Sequence, residues 1–198
     1  MRIFLIGALL TVGLSSSLRA QNRFIINFPQ VSLIQQSVNA LPGGALVRSI
    51  EIGGAYLKPI WKDNYYWSFG LNLRSFEQFL NADRYDYMSD LESGVVYRNG
   101  NDCGLGVLAQ AGISVHSYHR PDDDLVNPTE RFSTGLTTGL YAGAGFIYQD
   151  RYFILLKYQY CLPFDLRSTQ EDYFSQEKIF GKERISFRQF SLSLGLLF

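Results

Sequence analysis

Apolar side chains return at every second position along stretch after stretch of this 198-residue chain. From Tyr65 one row reads Tyr65, Trp67, Phe69, Leu71 and Leu73, against Ser68, Gly70, Asn72 and Arg74. From Cys103, Leu105, Val107, Ala109, Ala111, Ile113 and Val115 oppose Gly104, Gly106, Gln110, Gly112, Ser114 and His116. From Phe132, Leu136, Leu140, Ala142, Ala144, Phe146 and Tyr148 oppose Ser133, Gly135, Thr137, Gly139, Gly143 and Gly145. From Tyr152, Ile154, Leu156, Tyr158, Tyr160 and Leu162 oppose Lys157, Gln159 and Cys161. A period of two puts each pair of rows on opposite faces of a β-strand. One face is apolar, yet mean hydropathy is only −0.04. That balance suits a wall with lipid outside and a polar interior.

The last stretch, FRQFSLSLGLLF, sets Phe190, Leu192, Leu194, Leu196 and Phe198 against Gln189, Ser191, Ser193 and Gly195. Two weaker stretches complete a set of seven. Leu46 to Ile60 carries Leu46, Ile50, Ile52, Tyr56 and Ile60 opposite Ser49, Glu51 and Gly53, and Tyr87 to Arg98 carries Leu91, Val95 and Tyr97 opposite Asp90, Glu92 and Gly94. The connectors alternate short and long. Residues 61–64, 99–102 and 149–151 are short; those around 78–84, 119–131 and 163–183 are longer. Short periplasmic turns and longer outer loops make this alternation in a membrane barrel, and the strand count should be even. An eighth strand is therefore expected at Phe24 to Gln35, with residues 37–45 as its outer loop. Its apolar phase slips from Phe24, Ile26, Phe28 to Val31, Leu33. A bulge at Pro29 would account for the slip, since one extra residue flips the phase and proline cannot donate to a ladder. The competing reading leaves this segment outside the wall. The expected fold is all-β: an eight-stranded antiparallel transmembrane up-and-down β-barrel over 21–198.

Residues 1–20 read as a cleaved secretory leader: Arg2, a short apolar run from Ile3 to Leu14, and small Ala20 before Gln21. That run is too short to span a bilayer as a helix. Without Arg2 and Arg19 the mature chain is two charges on the acidic side, which excludes a nucleic-acid footprint. Cys103 and Cys161 fall at opposite ends and on opposite faces of the expected wall, and two free thiols follow.

Trp61, Tyr65, Trp67, Tyr97, Tyr148, Tyr152 and Phe198 gather near the short turns, the place of an interfacial aromatic girdle. Tyr87, Tyr118, Phe132, Tyr160 and Phe187 are candidates for an outer one. Glu51, Arg74, Asp90, Glu92 and Lys157 share the interior phase. Eight strands enclose a space that side chains just fill, so these five read as an internal polar network; an ion path is the alternative. His116, Ser117 and His119 are the one tempting catalytic group. Neighbouring strand residues point to opposite faces, so His116 and Ser117 should not meet. His116 is expected at the lumen rim and His119 in a loop. Asp122, Asp123 and Asp124 read as a solvated loop run without metal-ligand spacing. No catalytic, cofactor-binding or metal residue is assigned.

The row Phe190, Leu192, Leu194, Leu196 and Phe198 resembles the insertion signal that the barrel-assembly machinery reads. With the leader and the strand parity it makes the mature chain similar to the small outer-membrane barrels, the OmpA-like transmembrane domain and the OmpX type. Gln21 and the Tyr-rich strands resemble barrel proteins of Bacteroidota. The resemblance implies a barrel in the outer membrane of a Gram-negative bacterium, facing lipopolysaccharide; unlike full OmpA the sequence stops at Phe198, and no peptidoglycan-binding domain is expected after it. It implies no single activity. The expected role is non-enzymatic: structural or binding, or accessory to an outer-membrane complex. The 163–183 connector, with Phe164, Tyr173, Phe174 and Phe180, is the candidate partner contact. A lipid A-modifying enzyme and a narrow diffusion pore are the alternatives.

Overall fold

A computed structural model describes residues 22–38, 45–61, 64–78, 81–99, 104–122, 131–171 and 178–198. The leader expected at 1–20, the thiol of Cys103 and the acidic loop at 123–124 lie outside them. The eight strands are β1 (Arg23–Val38), β2 (Ala45–Trp61), β3 (Tyr65–Gln78), β4 (Asn81–Asn99), β5 (Leu105–Asp122), β6 (Arg131–Tyr148), β7 (Tyr152–Glu171) and β8 (Lys178–Leu197). Each pairs antiparallel with its neighbours in chain order, and β1 pairs with β8 to close the barrel. At the seam Phe24 and Phe198 exchange backbone hydrogen bonds of 3.1 and 2.9 Å. Closure removes the edges that an open sheet would present.

Alternation decides which way each side chain points. Phe69, Leu71, Leu73, Ile113, Leu140, Leu156, Leu192 and Leu194 all face outward and exposed, and Leu136 reaches 71%. A continuous apolar belt of this kind has no place in water and is what a lipid-facing wall requires.

β1 is a wall strand, and it carries a bulge at Pro29. Asn27 pairs with Gly53 and Gln30 with Glu51, three residues on β1 spanning two on β2. The exposed apolar residues are Ile26 and Phe28 before it and Leu33 after it, so the phase does flip. Two more prolines accompany irregularities: Pro59 beside the shift before Trp61, and Pro163 between Cys161 and Phe164.

The longer connectors are shorter than expected. β3 ends at Gln78 and already pairs with Asn81; β5 runs to Asp122 opposite Arg131; β7 runs to Glu171 opposite Lys178. A bilayer needs only about 9–11 residues per strand. These strands have 14 to 20. Beyond the lipid band a strand no longer has to show an apolar outer row, so the alternation fades while the pairing continues. His119 accordingly sits on β5 rather than in a loop, and Phe164 and Phe180 sit on strands rather than in a partner-seeking loop.

Candidate functional site

The interior is filled in three layers that can be read along single strands. Inward residues of β5 run Leu108, Gln110, Ser114, His116, Tyr118; those of β7 run Phe153, Leu155, Lys157, Gln159, Cys161 and, past the bulge, Phe164 and Leu166. Apolar residues occupy both ends and polar residues the middle.

The outer layer packs Ile34, Phe76, Met88, Tyr118, Phe164 and Phe187 with their neighbours. Tyr118 lies 5.6 Å from the Phe164 ring and 5.5 Å from Phe187. Above it Tyr118 donates to Asp86, which also pairs with Arg120. Tyr118 and Phe187, candidates for an outer girdle, thus point into the barrel. Their parity is the reason: Tyr118 shares the phase of His116, and Phe187 that of Gln189. Tyr87 does face out, Tyr160 is half-buried, and the Phe132 side chain lies outside the described residues. Phe164 turns inward because the extra residue at Leu162–Pro163 reverses the phase of β7.

The inner layer joins Leu57, Tyr66, Val96, Leu108, Ile147 and Phe153. Beneath it the β6–β7 turn folds Asp150 against Arg98 and, at 3.1 Å, Arg23. Gln149 and Asp150 have φ of 49° and 53°, the mirror-image turn that two-residue hairpins favour.

Between the plugs lies the polar belt. It brings together all five residues expected there. Arg74 pairs with Asp90 and lies 3.7 Å from Glu51; Lys157 lies 2.9 Å from Glu92 and 3.6 Å from Glu51. Gln189 donates to Glu51 at 2.8 Å, and Arg74 to Gln159 at 3.1 Å. His116 is not at the rim. It is fully buried in this belt, with Nδ1 2.5 Å from Asp90 and Nε2 2.7 Å from Ser114 Oγ. Ser117 turns away, as its parity requires, and meets His119 at 3.0 Å. Gly139 makes the room, since a Cβ there would lie 2.8 Å from His116 Nε2 and 3.0 Å from Ser114 Oγ.

Hydroxyl, imidazole and carboxylate in sequence is the order that activates a nucleophile. Among the described residues no cavity opens onto Ser114. Ser114 is 1% exposed and Gln159 donates to it at 3.2 Å. The cavity below, beside Glu92 and Lys157, measures about 30 Å³, room for a few waters. Sequence reasoning placed Ser114, His116 and Gln159 on the interior face but did not join His116 to Ser114 and Asp90. The signal was available: residues i and i+2 share a face, and the β4–β5 register sets Asp90 opposite His116. Arg23, Arg98 and Asp150 carried no sequence signal.

On the outside Tyr65, Trp67, Tyr148, Tyr152 and Phe198 are exposed near the short turns and Tyr97 is half-buried. The Trp61 side chain lies outside the described residues. Phe190, Leu192, Leu194 and Phe198 point out, with Leu196 half-covered.

No family model and no curated protein matches this chain. Solved structures do. Ail of Yersinia pestis, in complex with the heparin analogue sucrose octasulfate, aligns over 90% of this chain and 100% of its own at TM-score 0.52 and 12% identity. Neisserial surface protein A aligns over 90% and 98% at TM-score 0.50 and 12% identity. The outer-membrane protein OprG of Pseudomonas aeruginosa aligns over 91% and 97% at TM-score 0.51 and 10% identity. Strand count, closure, lipid-facing belt and these likenesses agree: the chain has the fold of the small eight-stranded outer-membrane β-barrels.

Proposed function

We propose that this chain is exported with cleavage after Ala20, inserted into the outer membrane of a Gram-negative bacterium through its Phe198-terminated strand, and works there as a sealed, non-enzymatic barrel whose outer end binds a ligand or partner. One observation carries the reading: an apolar layer packs at each end of the lumen around a polar belt, and the cavity described beside that belt measures only about 30 Å³. Conduction needs a continuous wet path, and hydrolysis needs access to Ser114; neither is supported by this packing. The complex of Ail with a sulfated heparin analogue supports ligand binding as a use to which such a barrel can be put. Three measurements test it. A boiled sample should migrate differently from an unboiled one on a gel. Planar bilayers holding the purified barrel should stay silent; reproducible conductance steps would sink the sealed lumen. A serine-directed phosphonate should leave Ser114 unlabelled, and labelling abolished by Ser114→Ala would reinstate the enzyme. Purification from native membranes would then reveal whether a partner accompanies the barrel.

A further inference from the structure

At the end of the wall that carries the short turns, the outer surface of β5, β6 and β7 is not smooth. A groove of about 240 Å³ runs between Leu105, Phe146, Tyr148, Tyr152 and Ile154. Its walls are apolar; these five side chains face outward, from 41% exposed at Ile154 to 69% at Leu105, and the sixth lining residue, Phe153, turns into the barrel. Cross-strand pairs build the rim: Leu105 with Tyr148, Phe146 with Ile154, Tyr148 with Tyr152.

The β6–β7 turn then divides two charges between two environments. Asp150 goes under the barrel to Arg98 and Arg23. Arg151, the next residue, goes outward and is exposed. Its guanidinium stands 6.0 Å from the ring of Tyr152, a groove wall, and 5.9 Å from Phe198. Among the described residues no carboxylate pairs with it. A cation is thus held over two interfacial rings, one of them a wall of the apolar groove, an arrangement complementary to an anion with a hydrocarbon tail.

We propose that this is a specific phospholipid site: one acyl chain lies in the groove and the phosphate of the same molecule rests on Arg151. The inference rests on the reading of the chain as a membrane barrel. The end with the short turns is the periplasmic end of such barrels, so the ligand comes from the periplasmic leaflet. Guanidinium suits a phosphate because its planar fork donates two parallel hydrogen bonds. The tail adds apolar area that inorganic phosphate lacks.

The test uses the full mature barrel in nanodiscs, released into native mass spectrometry. Two probes share one pair of acyl chains: dioleoyl phosphatidylglycerol and dioleoylglycerol, which has no phosphate. Wild type should retain one phosphatidylglycerol, saturably, and little diacylglycerol. Arg151→Gln should lower that retention by about tenfold, the loss of a charge-assisted contact. Leu105→Trp, which fills the groove from an exposed position, should lower it as well. Equal retention of both probes, unsaturable binding, or wild-type retention in Arg151→Gln would overturn the site. Heat modifiability on a gel separates this failure from a deeper one. A barrel that shifts on boiling but shows no preference refutes the lipid site alone; a chain that never shifts refutes the membrane-barrel reading and the site with it.

Discussion

Replacing Arg74 with methionine tests the sealed lumen directly. Its side chain is wholly buried, as are those of Glu51 and Asp90, the carboxylates it joins. The substitution keeps much of the volume and removes the charge. Glu51 would retain Lys157 at 3.6 Å and Gln189 at 2.8 Å. Asp90 would retain His116. Gln159 would lose the donor at 3.1 Å. Removing one member of a buried ion pair costs about 3–5 kcal/mol, because the other charge stays where water cannot reach it. Two carboxylates lean on this guanidinium, yet Glu51 keeps two further partners and Asp90 one. The two considerations oppose, and about 4 kcal/mol is expected, roughly a thousandfold in the folding equilibrium. The assay is urea unfolding of the barrel in short-chain phosphatidylcholine vesicles, followed by tryptophan emission, since Trp67 faces outward. The double variant Arg74→Met with Asp90→Leu should cost less than the sum of its parts, with a coupling of about 1.5–3 kcal/mol, as expected for residues in one network. A loss below about 1 kcal/mol, with additive singles, is the behaviour of a screened surface pair. That result would mean bulk water in the lumen, and the sealed barrel would be refuted.

Three further outcomes follow from the packing. Gly135→Ala puts a Cβ 2.6 Å from Phe164 Cδ2 and should cost about 1–3 kcal/mol, a cost that Phe164→Leu relieves; strict additivity would place Phe164 elsewhere. In a Cys103→Ser background, Cys161, which is 1% exposed, should resist maleimide until urea unfolds the barrel; labelling at the same rate before and after would contradict its burial. Asp150→Asn keeps a residue tolerant of the left-handed backbone but removes the charge facing Arg98 and Arg23. It should destabilise by about 1–3 kcal/mol and speed hydrogen exchange around the β6–β7 turn, whereas unchanged exchange there would show that the turn stands without its latch.

The wall was legible because lipid imposes a strict rule on every second residue. β5, with Leu105 through Val115 against Gly104 through His116, states that rule without interruption. Even β1 was legible, since the phase slip and Pro29 pointed to the same extra residue. Pro163 in β7 offered the same clue, and treating it as the start of a loop hid the inward turn of Phe164. What lipid does not touch was harder to read. Above the belt both faces of a strand meet water or the plug, so Tyr118 and Phe187 resembled interfacial rings although their parity assigned them inward. Asp150 could not be paired with Arg98 and Arg23 from sequence, because that contact depends on a turn folding under the barrel and crossing to two other strands.

His116 shows why a constellation of residues is not yet a site. Period two puts Ser114 and His116 on one face, and register supplies Asp90, so the chain of hydrogen bonds arises from the wall itself. A nucleophile also requires an open approach and a space for the acyl group it would attack. Here Gln159 donates to Ser114, Ser114 and His116 fill the room that Gly139 leaves, and the ring cluster around Tyr118 lies above. The same contacts that align the three groups cover the Ser114 hydroxyl. They also satisfy polar atoms that burial would otherwise leave unpaired. Structure and catalysis make opposite demands on Ser114 in this barrel: the first wants its hydroxyl bonded and covered, the second wants it bonded on one side and free on the other. The packing meets the first demand, which directs the search for activity to the ends and the outer surface, where Arg151 and the groove beside it are exposed.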